Sequence, residues 1–131
     1  MFITKFSIWT LENVILRIIV SVVLGAVIGI DRGAKRRGGG ARTTTTVCIG
    51  ATLVMLMEQY LMQCFPGMAD ITRMAAQVVS GVGFLGAGTI LVAGRQIKGL
   101  TSAAGIWFSA CVGLAVGIGF LDGAVLVTIV L

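Results

Sequence analysis

The side chains best placed to do chemistry in this sequence are polar residues that border long apolar runs. Asp31 and Arg32 close the first run, and hydroxyl side chains open the second and fourth. The set consists of Asp31, Arg32, Arg42, Thr43, Thr44, Thr101 and Ser102. These groups could meet at one membrane face, where they would either form an ion pair and cap helices or serve a function of the protein. The sequence leaves the structural and the functional interpretation open.

Several kinds of chemistry are disfavoured by the residues that are present. The chain has no histidine, so a catalytic triad that depends on histidine is excluded. It has three cysteines without a CxxC spacing, which argues against a zinc site. The segment 81–86 matches G-x-G-x-x-G but lies inside an apolar run, with no acidic residue about 20 positions on. We therefore predict no catalytic residues, no metal site and no cofactor.

A second group of polar residues lies inside the third apolar run. Arg73, Gln77 and Ser80 are expensive to place in hydrocarbon, which marks them as candidates for function or for helix contact. The glycines that follow them either allow close helix packing or mark an irregular segment beside a cavity. Glu58, near the end of the second run, is predicted to pair with Arg73 or Arg17.

The amino-acid composition indicates the environment in which these residues lie. The 131-residue chain is 57% hydrophobic and 11% charged, with a mean hydropathy of +1.06. Soluble domains are roughly 45–50% apolar and about 25% charged. The net charge of +5 is concentrated beside the apolar runs, which indicates anionic lipid and not nucleic acid as the neighbour. We therefore expect the lipid bilayer as a partner and no nucleic-acid binding.

The elements predicted from these runs form one domain over residues 1–131. The fold class is an all-α, polytopic membrane bundle of four to five transmembrane helices packed through Gly, Ser and Ala faces. The helices are predicted at about 11–30, 43–65, 73–93, 100–120 and 124–131, the last one incomplete. Asp70 is a predicted helix N-cap. The glycines predicted to pack helices are Gly25, Gly29, Gly81, Gly83, Gly86, Gly88, Gly113 and Gly117.

Basic residues in the loops predict the orientation of the bundle. Seven lie at one side, namely Arg32, Lys35, Arg36, Arg37, Arg42, Arg95 and Lys98, against three at the other, namely Lys5, Arg73 and, if its side chain extends outward, Arg17. Cytoplasmic loops carry the excess of Lys and Arg. The arginine-rich loop is therefore expected in the cytoplasm and the N-terminus outside. The stripes of small residues also predict a homo-oligomer, a dimer or higher, with packing within the chain as the alternative.

Three segments of the sequence have a distinctive residue pattern. The third run, Arg73–Gly88, reads RMAAQVVSGVGFLGAG, and the other two segments are Lys98–Ala104 with Trp107, and Gly25–Arg32. These segments resemble the MgtC/SapB family of bacterial inner-membrane proteins, whose pattern the third run matches nearly residue for residue. The resemblance covers roughly residues 14–131. Asp31 stands where the family usually has Glu, Thr44 where it often has Asn or His, and some members have Asn at the position of Thr101.

The resemblance implies a location and two functions. It places the protein in the bacterial inner membrane, in short form without the ACT-like C-terminal domain of some members, and links it to magnesium limitation and to stress or virulence adaptation. The first function is a non-enzymatic one, exercised by helix-mediated association with itself or with other membrane proteins. The alternative is an ion transporter or channel subunit, with Mg²⁺ as a candidate ion. Asp31 is predicted on the opposite face from Glu58 and Asp122, which disfavours a Mg²⁺ cage within one protomer.

Overall fold

The computed structural model describes residues 11–34, 40–68, 70–93 and 95–131. Over these residues it contains five helices and a short antiparallel β hairpin. The helices are α1 (Leu11–Ala34), α2 (Ala41–Cys64), α3 (Ile71–Ala87), α4 (Leu100–Ile118) and α5 (Leu121–Val130), and the hairpin strands are β1 (Leu91–Ala93) and β2 (Gln96–Lys98). The predicted all-α membrane bundle is confirmed.

Helix length and hydropathy separate the five helices into two groups. Within the described ranges, α1, α2 and α4 are long and apolar enough to cross a membrane. The 17 residues of α3 extend about 25 Å, and the 10 of α5 about 15 Å, against a hydrocarbon core of roughly 30 Å. Three full-length helices therefore form the frame, and two shorter helices pack on it.

Helix α2 lies between α1 and α4, and glycines bring the three backbones together. A Cβ added at Gly25 of α1 would lie 2.7 Å from Thr45 Cα, and one added at Gly117 of α4 would lie 2.8 Å from Thr52 O. Threonine hydroxyls of α2 reinforce both contacts. Thr44 Oγ1 donates to Gly25 O at 2.8 Å, and Thr52 Oγ1 donates to Gly113 O at 2.9 Å. Small residues thus allow close approach, and hydroxyl groups add interhelical hydrogen bonds.

The third helix ends earlier than the apolar run that predicted it. The run extends to residue 93, whereas α3 ends at Ala87 and residues 91–98 form the hairpin. Glycine lowers helix propensity, and four glycines occupy positions 81–88. Gly88 caps the helix, and Thr89 Oγ1 donates to Gly86 O at 2.7 Å, which closes the last turn. Gly99, with φ of 93°, then starts α4 from a left-handed conformation.

Apolar side chains fill the spaces between these helices in two clusters. The larger joins α1, α2, α4 and α5, and is made of Leu24, Ile28, Cys48, Val112, Val116, Leu121 and Ala124. The smaller joins α3 to α4 through Val82, Ile106 and Ala110. Large apolar side chains such as Ile19 and Val23 of α1 remain exposed, as expected for a surface that faces lipid.

Candidate functional site

Two buried arginines of α1, Arg17 and Arg32, contact opposite ends of α4. Each is 5% exposed. Fifteen residues separate them, which is about 22 Å along a helix. Because Arg32 reaches the beginning of α4 and Arg17 its end, the two helices run antiparallel. A charged side chain within an apolar helix is costly, so both positions require specific polar partners.

Arg32 is held against the first turns of α4. Its Nη1 donates to Thr101 O at 2.8 Å. The guanidinium group occupies the space that a side chain at position 105 would fill, with Nε at 2.7 Å from a Cβ built on Gly105. Gly105 is therefore required if Arg32 is to keep this position.

Arg17 occupies the other end of α4. Its Nη1 donates to Gly117 O and to Gln59 Oε1, both at 2.8 Å, and Gln59 Nε2 donates to Gly117 O at 2.7 Å. The last carbonyl groups of a helix lack partners within it and carry partial negative charge, so a cation there is favourable. The sequence analysis placed Arg17 at the membrane interface and did not predict its contact with the end of α4. A lone arginine within an otherwise apolar run was the available signal.

The predicted polar cluster is distributed between the interior and the surface of one end of the bundle. Arg32, Thr44 and Ser102 are buried, and Asp31 is half-buried. The remaining members, namely Arg42, Thr43 and Thr101, are exposed. The structure brings Arg32 to the backbone of Thr101 and brings Thr44 to α1, as described above. The predicted ion pair of Asp31 stays a prediction.

The polar residues Arg73, Gln77 and Ser80 lie on the exposed side of α3. Phe84 of the same helix is 82% exposed. We call the surface formed by Arg73, Gln77, Ser80, Gly81, Phe84 and Gly88 the outer α3 face, because these residues lie on one side of a helix with 3.6 residues per turn.

The glycines of α3 divide between this outer surface and the inner contact with α4. A Cβ at Gly81 or Gly83 would meet nothing within 4 Å, whereas one at Gly86 would lie 3.3 Å from Ala103 Cβ. Of the predicted packing glycines, Gly25, Gly29, Gly86, Gly113 and Gly117 thus contact another helix. Gly81, Gly83 and Gly88 do not do so among the described residues.

Glu58 lies at the opposite end of α2 from the polar cluster. The expected pairing with Arg17 or Arg73 is not observed among the described residues, where Arg17 donates to Gln59 and to the carbonyl of Gly117. Glu58 and Arg73 both line a cavity of about 370 Å³ between the end of α2 and the beginning of α3. This cavity was not predicted, since nothing in the spacing of its residues along the chain indicates it.

Asp70 lies beside this cavity and caps α3, as predicted. Its Oδ1 accepts hydrogen bonds from Thr72 Oγ1 at 2.6 Å and from Thr72 N at 3.0 Å. The Thr72 hydroxyl contributes most to a lowered pKa of the Asp70 carboxyl group, with the Thr72 N–H next. The carboxylate therefore remains ionised to lower pH than an ordinary aspartate.

The long apolar helices, the glycine contacts between them and the buried arginines at helix ends define a polytopic α-helical membrane protein. The chain belongs to the MgtC family, whose sequence model matches residues 18–131.

Curated relatives agree with this assignment. The chain is 39% identical over 117 residues to "Protein MgtC" of Salmonella typhimurium strain LT2, an alignment covering 89% of this chain and 48% of that protein. It is 37% identical over 131 residues to "Putative magnesium transporter YhiD" of Escherichia coli K12, covering 89% and 58%. It is 43% identical over 112 residues to "Uncharacterized protein slr0014" of Synechocystis, covering 86% and 46%. The chain spans about half the length of these relatives, and no solved structure matches it.

Proposed function

We propose that this protein is a non-enzymatic inner-membrane protein that acts by associating, through its helices, with itself or with other membrane proteins. The proposal rests on the exposure of the outer α3 face. This face presents Gln77, Ser80 and Gly81 away from the described bundle, where they meet no other described helix. Small and hydroxyl-bearing residues favour contact between helices in a bilayer, because backbones approach closely and polar groups find partners.

The physiological setting belongs to the same proposal. The family resemblance links the protein to magnesium limitation and to stress or virulence adaptation, and the printed name of the Escherichia coli relative includes magnesium. Association through α3 leaves the contacts of α1, α2 and α4 unchanged, because the outer α3 face lies on the other side of α3 from Val82 and Gly86.

Cysteine cross-linking in native membranes tests the proposed contact. In a variant without Cys48, Cys64 and Cys111, we expect Gly81→Cys to give a covalent dimer or an adduct with another membrane protein. Position 81 has space for a side chain. The matched control is Val23→Cys, which is exposed on α1 and is expected to give no adduct. Equal cross-linking at the two positions, or none at position 81, contradicts the proposal.

A second candidate function, an ion transporter or channel subunit, is favoured by the name of the Escherichia coli relative. Asp31 is the carboxylate that an oligomer would gather at the end of the bundle with the polar cluster. Purified protein in liposomes tests this function directly. Flux of Mg²⁺, K⁺ or H⁺ that is lost in Asp31→Asn favours the transporter, and absence of flux for all three favours association.

The proposed orientation predicts which cysteine is accessible from outside the cell. Cys64 is exposed at the end of α2, whereas Cys48 is buried. We expect a membrane-impermeant maleimide to label Cys64 in intact cells. A cysteine at position 95, in the hairpin, is expected to react only after the cells are lysed. Labelling of position 95 in intact cells would contradict the proposed orientation and indicate the opposite one.

A further inference from the structure

The cavity between α2 and α3 contains a carboxylate that has no partner among the described residues. Glu58 is 3% exposed, yet it makes no hydrogen bond or ion pair with any residue in the described ranges. No fully enclosed side-chain oxygen or nitrogen in those ranges lacks a partner. The small exposed area of Glu58 therefore includes its carboxylate, and Glu58 lines the cavity. An ionised carboxylate in such surroundings is costly unless a cation or a hydrogen-bond donor reaches it.

The other polar side chains that line the cavity do not meet this need. The Oδ1 atom of Asp70 is occupied in capping α3, and a second acid could not compensate Glu58. Arg73 is exposed and also lines the cavity, but no ion pair joins it to Glu58. The cavity thus presents Glu58 without a partner among the described residues, Asp70 engaged at the N-terminus of α3, and the guanidinium group of Arg73, whose charge acts on Asp70. This arrangement is complementary to a ligand that carries both a cation and an anion.

The rest of the lining indicates that the ligand is a lipid. Leu61, Phe65 and Met68 line the cavity and are exposed, so its apolar wall is continuous with the outer surface of the bundle. Glu58 lies six residues before the end of α2, about 9 Å along the helix axis. The 24 residues of α2 extend about 36 Å against a hydrocarbon core of roughly 30 Å, so with α2 centred in the bilayer Glu58 lies about 6 Å on the hydrocarbon side of the boundary between headgroups and acyl chains.

We infer that the cavity binds a zwitterionic phospholipid with a primary ammonium group, such as phosphatidylethanolamine. The ammonium group donates to the Glu58 carboxylate, the phosphodiester binds Arg73, and the acyl chains lie along Leu61 and Phe65. The volume of about 370 Å³ has room for the headgroup. This site differs from the outer α3 face, with which it shares Arg73.

Titration of the purified protein with phospholipids, followed by native mass spectrometry, tests the site. We expect phosphatidylethanolamine to bind about tenfold more tightly than phosphatidylglycerol, because one hydrogen bond between charged groups contributes about that factor. Glu58→Gln should remove this preference, and Arg73→Gln should weaken phosphatidylethanolamine about tenfold. The matched control is Glu12→Gln, an exposed carboxylate of α1, which should keep the preference.

Three results overturn the inference. The first is a preference for phosphatidylethanolamine that persists in Glu58→Gln, and the second is equal binding of the two lipids to the wild-type protein. The third is full competition by soluble O-phosphoethanolamine, which would assign the site to a free headgroup compound and not to a lipid. Arg73→Gln keeps the test informative if Glu58→Gln does not fold, because Arg73 is exposed.

Discussion

Gly113→Ala is expected to destabilise the protein by about 2 kcal/mol, whereas Gly83→Ala should be neutral or stabilising by up to about 1 kcal/mol. Both glycines lie inside helices. A Cβ at Gly113 would overlap the carbonyl oxygen of Cys48, a backbone atom of α2 that moves only if the helices separate. A Cβ at Gly83 would meet nothing within 4 Å, so alanine there improves helix propensity without a clash.

Thermal unfolding of the two purified variants in the same detergent measures this difference. The Gly113→Ala variant should unfold at a lower temperature and lose its single peak in size-exclusion chromatography. Two variants with the same transition temperature would show that the close contact of α2 with α4 is absent in the folded protein.

The pair Arg32 and Gly105 is expected to behave as one energetic unit. Arg32→Met loses a charged hydrogen bond to Thr101 O and should cost about 2 kcal/mol. Gly105→Ala displaces the guanidinium group and should cost about 1–3 kcal/mol. In the double variant the methionine no longer needs the space above position 105. The combined loss should therefore be smaller than the sum by at least about 1 kcal/mol.

A double-mutant cycle from denaturation in detergent micelles gives this coupling energy. Arg17→Met provides the comparison, because Arg17 contacts the other end of α4 and should combine additively with Gly105→Ala. Additivity for Arg32 and Gly105 would mean that the arginine does not occupy the space above the glycine.

The spacing of small residues predicted the main helix contacts. Gly25, Gly29, Gly113 and Gly117 lie four residues apart in pairs, which places each pair on one face, and those faces contact α2. The same reasoning cannot distinguish a contact within the chain from one with another molecule. Gly81 and Gly83 therefore looked like the others, although the described structure places nothing against them.

Two further features of the structure could not be predicted from the sequence, for physical reasons. Residues 88–93 are as apolar as the helix before them, so hydropathy did not predict that α3 ends at Ala87. The helix ends there because of its glycines and the hydrogen bond from Thr89 to Gly86 O. The role of Arg17 depends on Gln59 and on the carbonyl of Gly117, which are 42 and 100 residues away along the chain. Contacts of that kind follow from the packed arrangement of helices and leave no local pattern.

The threonine bonds of α2 have a mechanical consequence. Thr44 and Thr52 tie the central helix to carbonyl groups of different neighbours, so a slide of α2 by one turn, about 5.4 Å, would rupture both ties together. The three long helices therefore resist sliding past one another.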